Sequence, residues 1–268
     1  MAENDRHHGE MARERPPRLR LKLALAAVAG VILFAGFVAL GIWQIERRSW
    51  KLGLIAAVNE RVAAAPVAAP GPDAWASIDF DDDEYRHATA TGRFLPGKSV
   101  FAQATTDYGG GFWLMTPLRD ARGFTVLVNR GFVPSKDFAA DDDLSGEPKT
   151  VTGLLRMSQP GGGFLRANVP AEGRWYSRDV AAIAASQQLG GPVAPYFIDA
   201  GSPLDHTPPP NAEMGAPPPG SVAYPVTGLT RIAFRNQHLQ YALTWFALAG
   251  LVLVAAFVVI RHGRRHSA

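Results

Sequence analysis

The stretch that decides the fold is residues 236–260, NQHLQYALTWFALAGLVLVAAFVVI. Its apolar part, from Leu239 to Ile260, is about 22 residues long, or roughly 33 Å of helix, which is enough to cross a bilayer. The run contains no Asp, Glu, Lys or Arg, and it begins directly after His238. We therefore expect a transmembrane helix over residues 236–260, with an imidazole at its mouth.

A second apolar run lies near the start of the sequence. Residues 23–42 are about 20 positions without a charge, the length of a bilayer-spanning helix. A secretory signal peptide has a shorter apolar region followed directly by small residues, whereas Trp43 and a charged segment follow here. We expect an uncleaved transmembrane helix over residues 21–42. The helical spacing of Trp43, Trp50 and Leu54 predicts that it continues as an amphipathic helix to about residue 64.

The distribution of charge predicts an orientation for the two spans. Six Lys and Arg residues precede the first span and three Arg residues follow the second. Residues 43–240 contain 18 Lys and Arg against 20 Asp and Glu, a net charge of −2. Because basic flanks stay in the cytoplasm, we expect the basic tails, residues 1–20 and 261–268, to be cytoplasmic and residues 65–235 to be periplasmic.

The charged residues also help to predict the kind of membrane and the partners. Acidic residues among the first 20 positions are unlike a mitochondrial transit peptide, so we expect a multi-pass protein of a bacterial inner membrane. The overall net charge of +3 comes from the tails. It therefore says nothing about nucleic acid, and we expect the lipid bilayer, and no nucleic acid, as a partner.

The segment between the spans has the pattern of a β-rich domain. Apolar and polar residues alternate with period two, as in half-buried strands, over residues 85–95, 100–105, 112–118, 125–132 and 150–157. Residues 175–177 and 195–199 predict two shorter strands. Asp179 is suited to cap a helix that extends to Leu189.

These elements predict an α+β fold in which two transmembrane helices enclose a periplasmic, mainly antiparallel β-sheet or partial-barrel domain. A Pro-rich connector over residues 201–225 leads back to the membrane. The acidic run at residues 79–84 lacks the spaced Gly and distal Glu of a helix-loop-helix calcium site. We expect a solvated loop there.

Composition excludes several kinds of site. The sequence has no Cys, which removes disulfides, iron–sulfur clusters, thiolate zinc sites and cysteine-based copper transfer. Its five Met residues are scattered, so a thioether copper site is not expected. There is no nucleophile elbow, phosphate loop, paired-His zinc motif or dinucleotide fingerprint. We therefore do not expect an enzyme, including one that would use His87 in its predicted strand.

The mouth of the second span carries a candidate ligand. His238, Tyr241 and Trp245 fall on one side of a helix, at offsets of three and seven residues. Haem iron takes an axial imidazole, and a porphyrin plane needs an apolar surface. Tyr and Trp are also typical of the membrane interface, where a His needs no ligand. The pattern alone leaves both interpretations open.

Arg130 is a second candidate. It lies at the end of the predicted strand over residues 125–132, just before a turn. A guanidinium group there suits a haem propionate or another carboxylate, because its planar fork binds two oxygens. A structural salt bridge at the strand end explains the same residue equally well.

Four segments of the chain resemble the motifs of one family. They occur in order between the two spans, at residues 41–51 (GIWQIERRSWK), 111–118 (GFWLMTPL), 128–131 (VNRG) and 238–246 (HLQYALTWF). Together they resemble the surfeit-locus, or Shy-type, family of cytochrome c oxidase assembly factors over about residues 23–255. One position departs from the family pattern, since Phe132 stands where the family usually has Trp.

The resemblance implies a role in building a haem-copper oxidase. It implies binding of haem a, with His238 as the iron ligand, and delivery of the haem to the oxidase catalytic subunit. Trp43, Trp50, Tyr241 and Trp245 then become candidates for the aromatic walls of the site. The partners implied are the catalytic subunit and the proteins that supply haem a. The alternative is a haem-free membrane chaperone that holds the catalytic subunit during assembly.

Overall fold

The computed structural model describes residues 17–138, 144, 146–163, 165–206, 222–232, 234 and 236–265. The chain divides into two units. The helical unit is Met1–Leu54 with Phe234–Ala268, and the barrel unit is Ile55–Ala233.

Within the described residues there are four α-helices. They are α1 (Pro17–Ala63), α2 (Phe80–Asp83), α3 (Val180–Ser186) and α4 (His238–Arg265). Two of them are long and apolar enough to cross a membrane, over Leu21–Ala63 and His238–Arg265. The first runs without a break through the apolar segment and the charged segment that follows. It ends before Pro66, whose ring disfavours helix at the preceding residue.

The last turns of α1 belong to the barrel unit. Val58 and Val62 are 4% and 3% exposed, so the apolar face is buried at this end of the helix, whereas Trp43 and Trp50 nearer its middle are exposed. Arg61 Nη1 donates to the carbonyl oxygen of Glu84 at 3.0 Å. The Nδ1 atom of His87 lies 2.9 Å from the carbonyl oxygen of Ala64. These contacts hold the helix end beside the start of the sheet.

The described part of the barrel unit contains seven strands. They are β1 (Val67–Ala68), β2 (His87–Phe94), β3 (Val100–Thr106), β4 (Gly109–Asp120), β5 (Thr125–Val133), β6 (Lys149–Met157) and β7 (Val193–Ala200). Their order is β1-β2-β6-β7-β5-β4-β3, and β2 also pairs with β4. Strands β2, β6, β7, β5 and β4 therefore form a closed five-stranded barrel. The expected partial barrel is closed, and its pairs are antiparallel except β5–β7 inside it and β1–β2 beside it.

Closure depends on the length of β4 and on a glycine in β2. The first part of β4 pairs with β3, and its last residues pair with β2. Gly92 lies opposite Asp120 at this crossing. A Cβ atom at Gly92 would lie 2.1 Å from the carbonyl oxygen of Arg119, closer than any real contact. The two strands can approach because residue 92 has no side chain.

The barrel interior is the main core. It draws buried side chains from all five barrel strands: Ala88, Ala90, Phe94, Leu118, Val126, Val128, Leu155, Ala194, Tyr196 and Ile198. Every residue of β5 is buried. Because successive side chains of a strand point to opposite faces, β5 must be covered on the outside as well.

A second apolar layer covers the outside of the barrel. Leu127 of β5 and Phe197 of β7 pack there with Val180 and Ile183 of α3 and with Trp175. Asp179 caps α3, because its carboxylate accepts the N–H of Ala182 at 3.1 Å. The predicted cap is therefore confirmed, although the helix ends at Ser186.

Two local expectations need correction. In the acidic run at residues 79–84, Asp81 and Asp82 are exposed, as expected of a solvated segment, but Phe80–Asp83 form α2 and Glu84 is 4% exposed. Its carboxylate is buried because Arg156 donates to Glu84 Oε1 and the Met157 N–H donates to Oε2, both at 2.7 Å. Residues 175–177 hold a single bridge, from Trp175 to Ala102, in place of a strand. Of the Pro-rich connector, residues 207–221 lie outside the described residues.

Candidate functional site

The helical unit is built on contacts between α1 and α4, which run antiparallel. Three contacts fix the register: Phe37 with Trp245, Gly41 with Phe246, and Gln44 with His238. From Phe37 to Gln44 the chain of α1 advances by seven residues, while its partners on α4 go back by seven, from Trp245 to His238. Small and flat side chains at these levels let the helices approach closely. Ala242 and Ala249 of α4 are 1% and 3% exposed.

Gly41 is a position of close approach between the two helices. A Cβ atom there would lie 2.5 Å from Cε1 of Phe246, whereas a Cβ at Gly36 of the same helix would meet nothing within 4 Å. One helical turn away, the rings of Phe37 and Trp245 stack with centroids 5.8 Å apart and planes at 22°. The register of the two helices at the mouth of the second span is therefore set by packing.

His238 meets Gln44 in this register. Its Nδ1 atom lies 2.8 Å from Gln44 Oε1. An amide oxygen only accepts hydrogen bonds, so Nδ1 carries the proton and donates it. In a neutral ring with the proton on Nδ1, the lone pair lies on Nε2, and this nitrogen can then bind a metal. Gln44 is the partner of the candidate ligand that sequence reasoning missed, although it lies on the same helical face as Phe37 and Gly41 and within the segment 41–51.

Three of the predicted aromatic residues are strongly exposed. Trp43, Trp50 and Tyr241 are 52%, 55% and 51% exposed. The guanidinium carbon of Arg47 lies 4.0 Å from the centroid of the Trp50 ring, within cation–π range. Rings with half their surface uncovered can contact a flat apolar group or the membrane interface.

The other two predicted site residues are already packed. Trp245 is half-buried and its ring stacks on Phe37. Arg130 belongs to the barrel unit, where it is 7% exposed and its guanidinium carbon lies 5.4 Å from the centroid of Phe94. The structure thus brings His238 and Trp245 together on α4, with Trp43 and Trp50 on α1, and it places Arg130 in the barrel.

The two neighbours of Arg130 in β5, Asn129 and Gly131, make close contacts with Asp199 and with Val226. The side-chain amide nitrogen of Asn129 donates to Asp199 Oδ1 at 2.8 Å, and Asn129 Oδ1 accepts the N–H of Gly131 at 3.1 Å. Gly131 has φ +127°, which side chains rarely adopt, and a Cβ there would lie 2.4 Å from a backbone oxygen of Val226. Phe132, the one position that departs from the pattern of the family that the sequence resembles, is fully buried.

A buried charge network lies on the outer face of the barrel. Asp199 of β7 accepts from Arg178 Nη1 at 2.9 Å and from Arg156 Nη1 at 2.9 Å, and Arg156 also binds Glu84. Thr230 Oγ1 donates to Asp199 Oδ2 at 2.9 Å. Two guanidinium groups and two carboxylates balance, as buried charges require.

The same network shifts the acidity of Asp199. Burial alone would raise the pKa of its carboxyl group. The positive charges of Arg178 and Arg156, together with hydrogen bonds from Asn129 and Thr230, outweigh burial and lower the pKa below its ordinary value. Asp199 is therefore ionised at neutral pH. We assign the network a structural role, since each of its charges is paired.

Among the described residues no group of three or more His, Asp or Glu residues is arranged to hold a metal ion. An imidazole with Nε2 as a donor can supply one axial bond to an iron whose other ligands come from a macrocycle.

Comparison with known protein families gives one match, which covers most of the chain. The family model described as the SURF1 family matches residues 31–250. The chain is 31% identical to surfeit locus protein 1 of Mus musculus over 235 residues, covering 78% of this chain and 67% of that protein. It is 32% identical to surfeit locus protein 1 of Homo sapiens over 237 residues, covering 78% and 69%. It is also similar to the SURF1-like protein of Drosophila melanogaster, at 30% identity over 232 residues, covering 78% and 69%.

Proposed function

The chain belongs to the SURF1 family, and on this basis we propose that it is an assembly factor for haem-copper cytochrome c oxidase. It binds haem a and aids insertion of the haem into the oxidase catalytic subunit. Its partners are that subunit, the proteins that supply haem a, and the lipid bilayer. It acts as a carrier and catalyses no reaction.

The proposed location follows from the two apolar helices and the charges around them. Both helices cross a bacterial inner membrane, and the basic segments that flank them stay in the cytoplasm. The barrel unit then lies in the periplasm. The mouth of the second span, where His238 begins α4, faces that side.

The observation that carries the proposal is the hydrogen bond between His238 and Gln44. It engages Nδ1 of the imidazole at 2.8 Å. Nε2 is left as the lone-pair donor, and an imidazole nitrogen is a common axial ligand of haem iron. In the described part of the chain this is the one hydrogen bond that the His238 side chain makes.

The surroundings of His238 also suit a flat apolar cargo. Tyr241 is 51% exposed one turn along α4, and Trp43 is 52% exposed on α1 beside Gln44. Covering such rings removes apolar surface from water, at about 25 cal/mol per Å². Trp50 and Trp245 contribute further aromatic surface to the same unit. The proposed contact rests on the helical unit, while Arg130 stays part of the barrel core.

A carrier of this kind gains from having few strong bonds to its cargo. One imidazole and a set of dispersion contacts hold the haem in place. Each additional ligand would slow transfer, because affinity differences are expressed mainly in the dissociation rate. A single ligand on the first turn of α4 meets this requirement.

The test is to purify the full chain from cells that make haem a, alongside His238→Ala. We expect a Soret band in the unmodified protein and a loss of more than about tenfold in bound haem in the variant, comparable to the loss of a key metal-site group. His262→Ala is the matched control, since it removes an imidazole from the other end of α4 and should keep the band. Equal haem in all three proteins would refute His238 as the ligand.

The alternative function, a haem-free chaperone for the catalytic subunit, is favoured by a different feature. A cavity of about 950 Å³ in the helical unit is lined mostly by apolar and small side chains, including Leu23, Ala26 and Gly30 of α1 and Ala255 and Val259 of α4. An apolar segment of the catalytic subunit could pack there. Stable co-purification of that subunit with a protein that contains no haem would support this function over haem binding.

A further inference from the structure

Gln44 and His238 are 194 residues apart in the sequence, yet they form a hydrogen bond of 2.8 Å. Gln44 is half-buried on α1, and His238 is half-buried on the first turn of α4. Along α1, Gln44 lies one helical turn from Gly41, which packs against Phe246, and two turns from Phe37, which stacks on Trp245. The packed helices therefore hold the two side chains at this distance.

The chemistry of the two partners gives the bond a direction. A Gln side chain offers an oxygen that only accepts and a nitrogen that only donates. With Oε1 facing Nδ1, the imidazole must carry its proton on Nδ1. The hydrogen bond made by one ring nitrogen decides which nitrogen is free to bind a metal.

We infer that Gln44 is a positioning residue for haem binding: it holds His238 in the Nδ1–H tautomer and orients Nε2 as the iron donor. This inference rests on the proposed function, in which His238 contacts the iron. Gln44 itself touches neither the iron nor the porphyrin. Outer partners of this kind fix the tautomer and the ring orientation of metal-binding His residues, and their loss costs about 10–100-fold in affinity.

An amide acceptor also matches the needs of a carrier better than a carboxylate does. A carboxylate on Nδ1 would raise the basicity of the ligand and strengthen its bond to the metal. Gln44 fixes the tautomer without this effect. The resulting bond to iron is directed and weak enough for the cargo to leave.

The first experiment measures the tautomer without haem. The full chain is labelled with ¹⁵N-histidine, placed in lipid nanodiscs and studied by solid-state NMR, with His238→Ala used to assign the signals. We expect His238 in the Nδ1–H form in the unmodified protein and a mixture of tautomers in Gln44→Leu. Gln44→Glu keeps an acceptor at this position and should restore the Nδ1–H form. Gln240→Leu is the matched control, because Gln240 lies on α4 and is exposed.

The second experiment titrates each variant with iron protoporphyrin IX and follows the Soret band. Gln44→Leu should raise the dissociation constant by about 10–100-fold, and Gln240→Leu should leave it unchanged. Gln44→Glu should bind at least as tightly as the unmodified protein, with a lower midpoint potential and a slower release of haem. The rescue by Glu separates a positioning role from a general loss of folding.

The outcomes separate this inference from the proposed function. If His238→Ala abolishes binding while Gln44→Leu matches the unmodified protein in tautomer and affinity, the positioning role is overturned and the proposed function stands. If the unmodified protein binds no haem, the proposed function is overturned, and the NMR spectra alone decide whether Gln44 sets the tautomer. A loss of the Nδ1–H form in Gln44→Leu, together with weaker haem binding, supports both.

Discussion

Replacing Asp199 with Ala should strongly destabilise the barrel unit. The Asp199 side chain is 5% exposed, and it accepts hydrogen bonds from the two guanidinium groups of Arg156 and Arg178. Asn129 and Thr230 donate to it as well, at 2.8 and 2.9 Å. Removing the carboxylate leaves Arg178, whose side chain is 11% exposed, without its acidic partner.

The expected loss follows from these contacts. Removing one partner of a buried ion pair typically costs about 3–5 kcal/mol, because the remaining charge stays buried. Arg156 keeps its bond to Glu84 at 2.7 Å, so the cost arises mainly at Arg178. We therefore expect a loss of about 4 kcal/mol in the free energy of unfolding. With a urea m value of about 2 kcal/mol/M, the midpoint should fall by about 2 M.

The assay is urea unfolding of the full chain in a mild detergent, followed by tryptophan fluorescence. Trp113 is a local reporter, because its ring centroid lies 5.7 Å from the guanidinium carbon of Arg178. Urea is preferred to guanidinium because it does not screen charges. Asp205→Ala is the control, since Asp205 is exposed and should change stability by no more than about 0.5 kcal/mol. A midpoint shift below about 0.5 M for Asp199→Ala would refute the reasoning.

The pH dependence gives an independent check on the same residue. The pKa of Asp199 is lower in the folded protein than its ordinary value, because Arg178 and Arg156 outweigh the effect of burial. Its contribution to stability is therefore complete above the unfolded pKa of about 3.9 and is lost as the pH falls through the folded pKa. Between pH 5 and 2, the unmodified protein should lose more stability than Asp199→Ala.

Two glycines give further predictions, each with a matched control. Gly41→Leu should destabilise the helix pair by about 1–3 kcal/mol, because a Cβ there meets Phe246 at 2.5 Å, while Gly36→Leu should be nearly neutral in thermal unfolding followed by circular dichroism. Gly92→Ala should cost about 1–3 kcal/mol or more in urea unfolding, since its Cβ would lie 2.1 Å from a backbone oxygen, and Gly110→Ala should cost far less. Equal effects within either pair would contradict the packing described here.

Much of the secondary structure could be predicted because the signals are local. The strands β2 and β3 follow a period-two pattern that is visible within a few neighbouring residues, and the other strands are marked by β-branched and aromatic residues between turn-like segments. The cap of α3 needs only Asp179 and the N–H group three residues later. The two apolar helices are evident from length and the absence of charges.

The two segments whose local structure was predicted wrongly depend on contacts with distant residues. The acidic run at residues 79–84 has the composition of a loop, but Arg156 lies 72 residues further along and draws Glu84 into the interior. The short segment around Trp175 has strand-like residues, yet it meets β3 through a single bridge. In both cases a distant part of the chain determines the local conformation.

The candidate site also contains one residue that the sequence reveals and one that only the tertiary structure reveals. His238 could be selected from the sequence because an imidazole at the mouth of an apolar span is unusual and the surrounding segment resembles a family motif. Gln44 could not be assigned a role from the sequence. Its partner lies 194 residues away, and the contact exists only because α1 and α4 pack in one register.

The sequence by itself therefore determined the elements that depend on local patterns: two apolar helices, a β-rich segment between them, the absence of thiol chemistry, and the position of the candidate ligand. Only the tertiary structure decided the closure of the barrel through β2 and β4, the burial of Asp199 among two Arg residues, and the pairing of Gln44 with His238. The physical reason is that these features arise where strands and helices distant in the chain pack together. Burial and hydrogen-bond partners, which the packing alone supplies, then determine what each side chain can do.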